Sequence, residues 1–316
     1  MINLPPRGLI ADLVTPLDKK GRPDREVLVR IMGRLKTEVR GFLVGSVIVG
    51  EGLGLGLEAR LEVLAASLKA CAEGQVLIFE VTGSTEDETV SLLSRAGTMM
   101  EKQGQRPVVL YLITPLLYHG NRNLPDHIRE LGRLSRQPLI LSNNPDLVRR
   151  LRPKPRHKNI RTSVLKKLAA NEQIAGLEFD GDLARAINYQ RALKSRTGFR
   201  FYDGNEQRFL GKPSMSGLIS CGANILPQAW ADIVDSSLNV FDSRRTSPDH
   251  LSRIWQSGQA VRSLIEFYKP NPPAVLKAAL KLMGVIPRAS VTPGVEEPGS
   301  DRIQALETGL KTLRLI

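Results

Sequence analysis

The stretch IAGLEFDGD, residues 174–182, sets three carboxylates, Glu178, Asp180 and Asp182, directly after an apolar run. A carboxyl at the end of a buried strand is either held by a cation or a hydrogen-bond donor, or carries a raised pKa that suits it to proton transfer. Glu206, in YDGNE, is a second acid that follows a short apolar run, and either glutamate is a candidate for general acid–base work. A pair of carboxylates also suits a divalent cation. Such sites usually recruit histidine, and of His119, His127, His157 and His250 only His119 falls near the end of an apolar run, so no metal and no other cofactor is expected. Cys71 and Cys221 lie far apart with no CxxC pair, which points to reduced, inert thiols. GEGLGLGLE lacks the GK[ST] ending of a phosphate-binding loop, and no serine, histidine and aspartate set has positional support.

Charge adds a second candidate. The 45 lysines and arginines outnumber the 32 acids, for a net charge of +13, which favours anionic partners. Nine of these cations fall in residues 149–167, RRLRPKPRHKNIRTSVLKK, which contain no acid. Pro153 and Pro155 predict a loop there, entering a helix near Thr162 or Ser163 as N-cap. The segment reads as a solvated loop, as a basic lid for phosphorylated or carboxylate ligands, or as a polyanion contact. No aromatic residue interleaves it, so any nucleic-acid binding would be nonspecific and is the weaker expectation.

Eight apolar runs must position these groups: 8–14, 41–49, 76–81, 107–113, 138–142, 174–179, 199–202 and 217–221. Helix-period segments separate most of them, and strand–helix–strand spacing of this kind predicts a parallel sheet that closes as a (β/α)8 TIM barrel. From residue 227 the pattern is helical, clearest at 227–240, 248–268 and 272–284. We expect residues 1–226 to form the barrel and 227–316 a C-terminal helical extension packed on it as one structural unit. Trp230 and Trp255 read as core or subunit contacts of that extension rather than as ligand-stacking residues. In such a barrel the active site lies at the carboxyl ends of the strands, where Glu178, Ser46, Ser142, Asn143, Asn205 and Glu206 all fall. No basic leader with a long apolar core and no 18-residue apolar stretch is present, so a soluble, cytoplasmic protein without a membrane contact is expected.

The motifs VTPLDKKGRPD (14–24), GEGLGLGLEAR (50–60), LILSNNP (139–145), YDGNE (202–206), GLISCGANILP (217–227) and KPNPPAVLKAALKLMG (269–284) run in the order of a known family. The chain resembles the dihydrodipicolinate synthase and N-acetylneuraminate lyase family, pyruvate-dependent class I aldolases built on this barrel. The resemblance implies a keto-acid or other carboxylate ligand, a homodimer or homotetramer, and a Schiff-base lysine on the sixth strand. Glu178 stands at that lysine's place. Ser142 stands where the family has a proton-relaying tyrosine, and Ser46, Ile48, Val49, Gly50 and Glu51 cover the loop that cradles the pyruvate carboxylate. Tyr118, Asn143, Leu147, Asn205 and Ile219 complete the ligand-binding candidates, with Leu147 at an arginine position.

These departures fall on one small volume and predict a barrel that has lost Schiff-base chemistry and acts as a noncatalytic or small-anion-binding protein. The alternative is a carbon–carbon lyase or hydrolase of altered chemistry that uses Glu178 or Glu206 as acid or base. Polyanion binding through 149–167 is a further alternative. Glu178 itself reads as the partner of an arginine beyond strand five or of Lys212, as a ligand contact, or as an acid–base group. Arg149, Arg150, Arg152 and Lys212 are the anion-binding candidates, and Lys212 is also the nearest replacement amine.

Overall fold

Every strand anticipated from an apolar run is present. The computed structural model describes residues 4–103, 107–116, 121–151, 157–214, 216–238 and 248–316. Its strands are β1 (Gly8–Asp12), β2 (Gly41–Val44), β3 (Val76–Glu80), β4 (Val108–Ile113), β5 (Leu139–Asn143), β6 (Ile174–Phe179), β7 (Arg200–Asp203) and β8 (Gly217–Ser220), all parallel and closed in sequence order. β1 pairs with β8 as well as β2, and the seam is glycine at both ends of its first rung, Gly8 opposite Gly217. Gly217 has φ +123, and a Cβ there would sit 2.0 Å from the Gly8 carbonyl oxygen, so only glycine closes the ring.

Strand residues two apart face the same way. Ile10, Ile78, Leu112 and Ile140 are therefore inside the barrel as one apolar layer, and Asp12, Glu80, Thr114 and Ser142, two residues further on, form a polar layer above them. β6 reaches the same layer through an irregularity. Leu139 pairs with Ile174 but Ile140 pairs with Gly176, so Ala175 is an extra residue on β6. The bulge places Ala175 in the interior cluster and still leaves Leu177 and Phe179 facing the helices. Glu178 consequently pairs in register with Ser142 and points inward.

Helices α1 (Arg25–Leu35), α2 (Leu57–Ala70), α3 (Glu86–Gln103), α4 (Leu124–Arg133), α5 (Pro145–Leu151), α6 (Thr162–Ala169), α7 (Leu183–Leu193) and α8 (Glu206–Gly211) connect successive strands, with α5 and α6 both between β5 and β6. α1 shows why: Asp24 caps it by accepting from Val27 N at 3.1 Å, and Val27, Leu28, Ile31, Met32 and Leu35 recur at helical spacing and are buried. Beyond β8 lie α9 (Pro227–Leu238), α10 (Pro248–Tyr268), α11 (Pro272–Leu282) and α12 (Ser300–Thr312). α9 packs on β1 and β8, with Trp230 buried, and α10 packs on α8 and α9. Trp230 takes the core position, whereas Trp255 on α10 is 71 % exposed and Leu251 one turn before it 57 % exposed, so Trp255 is not a core residue of this chain. Among the described residues no helix is long and apolar enough to cross a membrane.

Three local expectations change. The basic stretch is not loop from its start, because α5 extends to Leu151 and holds Arg149 and Arg150 in its last turn. Arg152 and Tyr118 lie outside the described residues. Arg161, not Thr162 or Ser163, is the N-cap of α6 and makes no side-chain cap bond. Lys212 follows α8, which carries the chain from the carboxyl end of β7 back toward the amino end of β8, and it is exposed there rather than on the catalytic face.

One buried ion pair ties the extension to the barrel. Lys277 on α11 and Glu51 after β2 both have fully buried side chains and contact one another. The Lys277 ammonium also donates to the Ser290 carbonyl at 2.8 Å, and Glu51 Oε2 accepts from Thr292 N at 2.5 Å. Glu51 is held at φ +56, a region unfavourable to a side-chain-bearing residue by about 1 kcal/mol, so its partners hold the backbone as well as the charge. Removing one partner of such a pair typically costs about 3–5 kcal/mol. We expect Lys277→Met to lose stability on that order in urea unfolding, and the double variant Glu51→Gln/Lys277→Met to recover a substantial part of the loss.

Candidate functional site

A cavity of about 110 Å3 opens at the carboxyl ends of the strands. Its wall contains Asp12, Glu80, Glu178 and Asp180, the hydroxyls of Ser46, Thr114 and Ser142, and an aliphatic side that includes Leu43, Val47, Ile48, Val49, Leu147 and Ile219. Among the described residues of that wall there is no lysine, arginine or histidine. The carboxylate ligand expected from the sequence therefore finds four acids and no cation in this wall.

Each acid is held differently. Glu80 receives Thr114 Oγ1 at 2.6 Å and Val47 N at 2.7 Å. Asp180 receives Asn205 Nδ2 at 3.0 Å on one oxygen and Asn144 Nδ2 at 2.9 Å on the other. Glu178 is bonded by Ser142, and Asp12 by Ser46, while Oδ1 of Asp12 has no hydrogen-bond partner. Burial raises all four pKa values, and neighbouring acids push three of them further: Glu80 and Asp180 act on Glu178, Glu178 and Glu80 on Asp12, and Asp146 on Asp180. Burial is the larger cause for Glu178 and takes its carboxyl up to about 8, against the downward pull of the Ser142 bond. Gly204 gives that carboxyl its room, because a Cβ there would lie 2.9 Å from Glu178 Oε1.

Of the residues anticipated from the sequence, Glu178, Ser142, Ser46, Ile48, Val49, Leu147 and Ile219 come together around this cavity. The others lie elsewhere. Glu206 is buried but does not line it. Its oxygens accept from Ser220 Oγ at 2.5 Å, Gly222 N at 2.7 Å and Tyr268 OH at 2.5 Å, so it fastens β8 to α10 and is poorly placed as a base. Asn143 donates to Tyr189 OH at 2.9 Å behind the sheet, and Asn205 caps α8 while it holds Asp180. Gly50 N donates to Ser46 Oγ at 2.8 Å and so supports the wall from outside, and Glu51 is committed to Lys277. Arg149 pairs with Asp146 at 3.3 Å on the surface, and Arg150 and Lys212 are also absent from the wall, so no described arginine beyond β5 and no Lys212 partners Glu178. Asp182, third acid of the opening run, caps α7 by accepting from Arg185 N at 2.8 Å.

Sequence reasoning missed Asp12, Glu80, Thr114, Asn144, Gly204 and Cys221. A signal existed for the acids: β1, β3, β6 and β7 read GLIAD, VLIFE, IAGLEF and RFYD, apolar strands with an acid at or beside the last residue. The fourth of these, Asp203, is paired with Arg208, whose guanidinium also donates to the Phe179 carbonyl at 2.7 Å.

The match to the dihydrodipicolinate synthetase family model spans residues 5–312. The chain belongs to that family. It is 26 % identical to the 4-hydroxy-tetrahydrodipicolinate synthase of Laribacter hongkongensis over 98 % of this chain and 99 % of that one. It is 25 % identical to the Pseudomonas aeruginosa enzyme of the same name over 89 % of each. Among solved structures it is similar in fold to a monomeric dihydrodipicolinate synthase variant, with TM-score 0.81 and 19 % identity over 98 % of this chain and 97 % of that one. It is equally similar to YagE, a family protein of Escherichia coli K12 solved with pyruvate, with TM-score 0.81 and 18 % identity over 98 % and 99 %.

The raised pKa of Glu178 has a thermodynamic consequence. The folded state holds this proton up to about pH 8 and the unfolded chain only to about 4.5, so stability falls as pH rises between those values. Glu178→Gln keeps a polar group beside Ser142 and removes the titration. Relative to wild type its melting temperature is expected to gain progressively from pH 4.5 to 8, by up to a few kcal/mol in stability. A difference between the two proteins that does not vary with pH would contradict this account.

Proposed function

We propose that this chain is a dihydrodipicolinate synthetase-family barrel that does not form a pyruvate Schiff base and uses the cavity to bind a small molecule. The observation that carries the reading is the group aimed into the cavity from β6, the carboxyl of Glu178, with no lysine among the described lining residues. Imine formation needs a neutral amine nitrogen to attack the keto carbon, and a carboxylate has none at any pH. Ser142, the register partner of Glu178, spends its hydroxyl on that carboxyl and carries no phenol to relay protons. The buried amine of Lys277 is committed to Glu51 and Ser290, and Lys212 lies away from the cavity.

One observation favours the second reading, acid–base catalysis. A carboxyl with its pKa near 8 exchanges a proton close to neutral pH, which suits a lyase or hydrolase that draws a proton from carbon or water. Glu206 fits that role less well, since donors surround it. Polyanion binding by 149–167 and assembly as a homodimer or homotetramer remain expectations from the sequence.

Incubation with pyruvate and borohydride, followed by intact mass measurement, tests the first reading. The expected mass is that of the unmodified chain, and a reduced pyruvate adduct on any lysine would overturn it. Loss of the pyruvate methyl proton signal in D2O, present with wild type and absent with Glu178→Gln, would decide for the second.

A further inference from the structure

A second concavity, of about 530 Å3, lies at the opposite end of the barrel. Its wall is built where strands begin: Arg7 precedes β1, Arg200 opens β7, and Ser214 and Ser216 lead into β8. The carboxyl end of α7 and residues Ser237 and Leu238 of α9 form its sides. Cavities of roughly 300–1,000 Å3 are the size that houses a small-molecule ligand.

The charge in this wall is of one sign. Lys194, Arg196 and Arg200 line it, and no acid is among its described lining residues. None of the three forms an ion pair with a described residue. Arg200 Nε donates to the Pro5 carbonyl at 2.8 Å, and the side chains of Lys194 and Arg196 make no hydrogen bond to a described residue. Arg7 is a fourth cation of the wall and has a partner of its own. Neutral donors are also unspent: the side chains of Gln190 and Thr197 have no described partner, and Ser216 Oγ accepts from Phe201 N at 2.9 Å but gives its proton to no described residue. The carboxyl end of α7, at Leu193, supplies only about half a negative charge, too little to balance three cations. Arg196 and Arg200 are half-buried, and an anion in the cavity would offset the cost of holding them there without a counter-charge.

The kind of anion follows from charge and size. One phosphate group carries about −1.5 to −2 charges and three acceptor oxygens, so two phosphates match three cations and the unspent donors, whereas a dicarboxylate brings only about −2 and four oxygens. Guanidinium groups also hold phosphate by paired hydrogen bonds. At about 30 Å3 for each water-sized unit, 530 Å3 holds about 18 non-hydrogen atoms, enough for a pentose bisphosphate and too few for a nucleoside triphosphate. Leu193, Phe199, Phe201 and Leu238 give the wall an apolar flank for a carbon skeleton. We propose that this cavity binds a small anion carrying two phosphate groups, with Lys194 and Arg196 as its principal contacts. The site stands at the amino ends of the strands and does not depend on what the carboxyl-end cavity binds.

Calorimetric titration of the full chain with inorganic pyrophosphate and with fructose 1,6-bisphosphate, each against sodium sulfate at matched ionic strength, tests it. Saturable binding of a phosphorylated probe is expected, with no displacement by sulfate. Tighter binding of pyrophosphate would identify a diphosphate, and tighter binding of the sugar would identify phosphates on two ends of a carbon skeleton. The double variant Lys194→Gln/Arg196→Gln is expected to weaken the probe by about tenfold or more, as the loss of a charge-assisted hydrogen bond implies. Neither side chain has a described partner, so its melting temperature is expected to stay near that of wild type. Arg129→Gln, on the exposed face of α4, is expected to leave binding unchanged. No saturable binding of either probe, equal displacement by sulfate, or a double variant that binds like wild type would each overturn the proposal. So would an Arg129→Gln loss as large as that of the double variant, which would mark diffuse attraction to a chain of charge +13. The comparison of probes on wild type decides the matter even if the double variant does not fold.

Discussion

Four carboxyl groups share a small cavity whose described wall offers no cation, and that crowding constrains the rest of the site. Moving one ionised carboxylate out of water costs several kcal/mol even after relaxation, and each neighbour of like charge adds to it. The fold meets this mainly with donors at the wall, helped from outside it by Arg60 acting on Glu80 and by Arg208 and Lys269 acting on Asp180. Val47 N, Thr114, Ser46, Ser142, Asn144 and Asn205 each turn toward one of the acids. Three buried cations make their own bonds outside the wall: Arg60 donates to the carbonyls of Thr82 and Glu80, Arg208 pairs with Asp203, and Lys277 pairs with Glu51. Burial nonetheless raises all four pKa values, and that of Glu178 reaches about 8.

The barrel enforces the crowding through strand parity. Once Ile10 and Ile78 face inward, Asp12 and Glu80 must as well, because nothing irregular intervenes on β1 or β3. β6 is different. Strict alternation cannot set both Ala175 and Glu178 inside, and the single-residue bulge at Ala175 is what turns the glutamate into the cavity and opposite Ser142. A change that removed the bulge would send Glu178 toward the helices and bring Leu177 or Phe179 inward, with a loss of packing on both sides of the sheet.

The eight-strand barrel was legible because each strand is a short apolar run bounded by helix-period sequence, a pattern that few other folds accommodate. The site was legible only where a residue stood out in its own segment, as Glu178 does in IAGLEF. Asp12 and Glu80 escaped notice because a lone acid at the end of an apolar run looks like an ordinary strand terminus until the inward face is known. Glu206 was visible but misread, since its role depends on Tyr268, 62 residues further on, and on the β8 exit. Lys212 was assigned to the wrong end of the barrel because the short helix α8 was not anticipated, and that helix decides at which end the following residue emerges. Long-range partners and the direction of a connecting helix are properties of the closed barrel rather than of any one segment.

The aliphatic loop and the acidic layer make physical sense together. A backbone turn such as 46–50 can present hydroxyls to an anion, but Val47, Ile48 and Val49 present methyl groups, and Val47 N is already given to Glu80. Had the acids been introduced with an anion-binding loop retained, donors and acceptors would satisfy one another across the cavity and close it to ligands. With the loop aliphatic, the acids depend on the supporting hydroxyls and amides, and burial raises the carboxyl of Glu178 to about 8, so that it keeps its proton through neutral pH and its charge need not be matched by the loop.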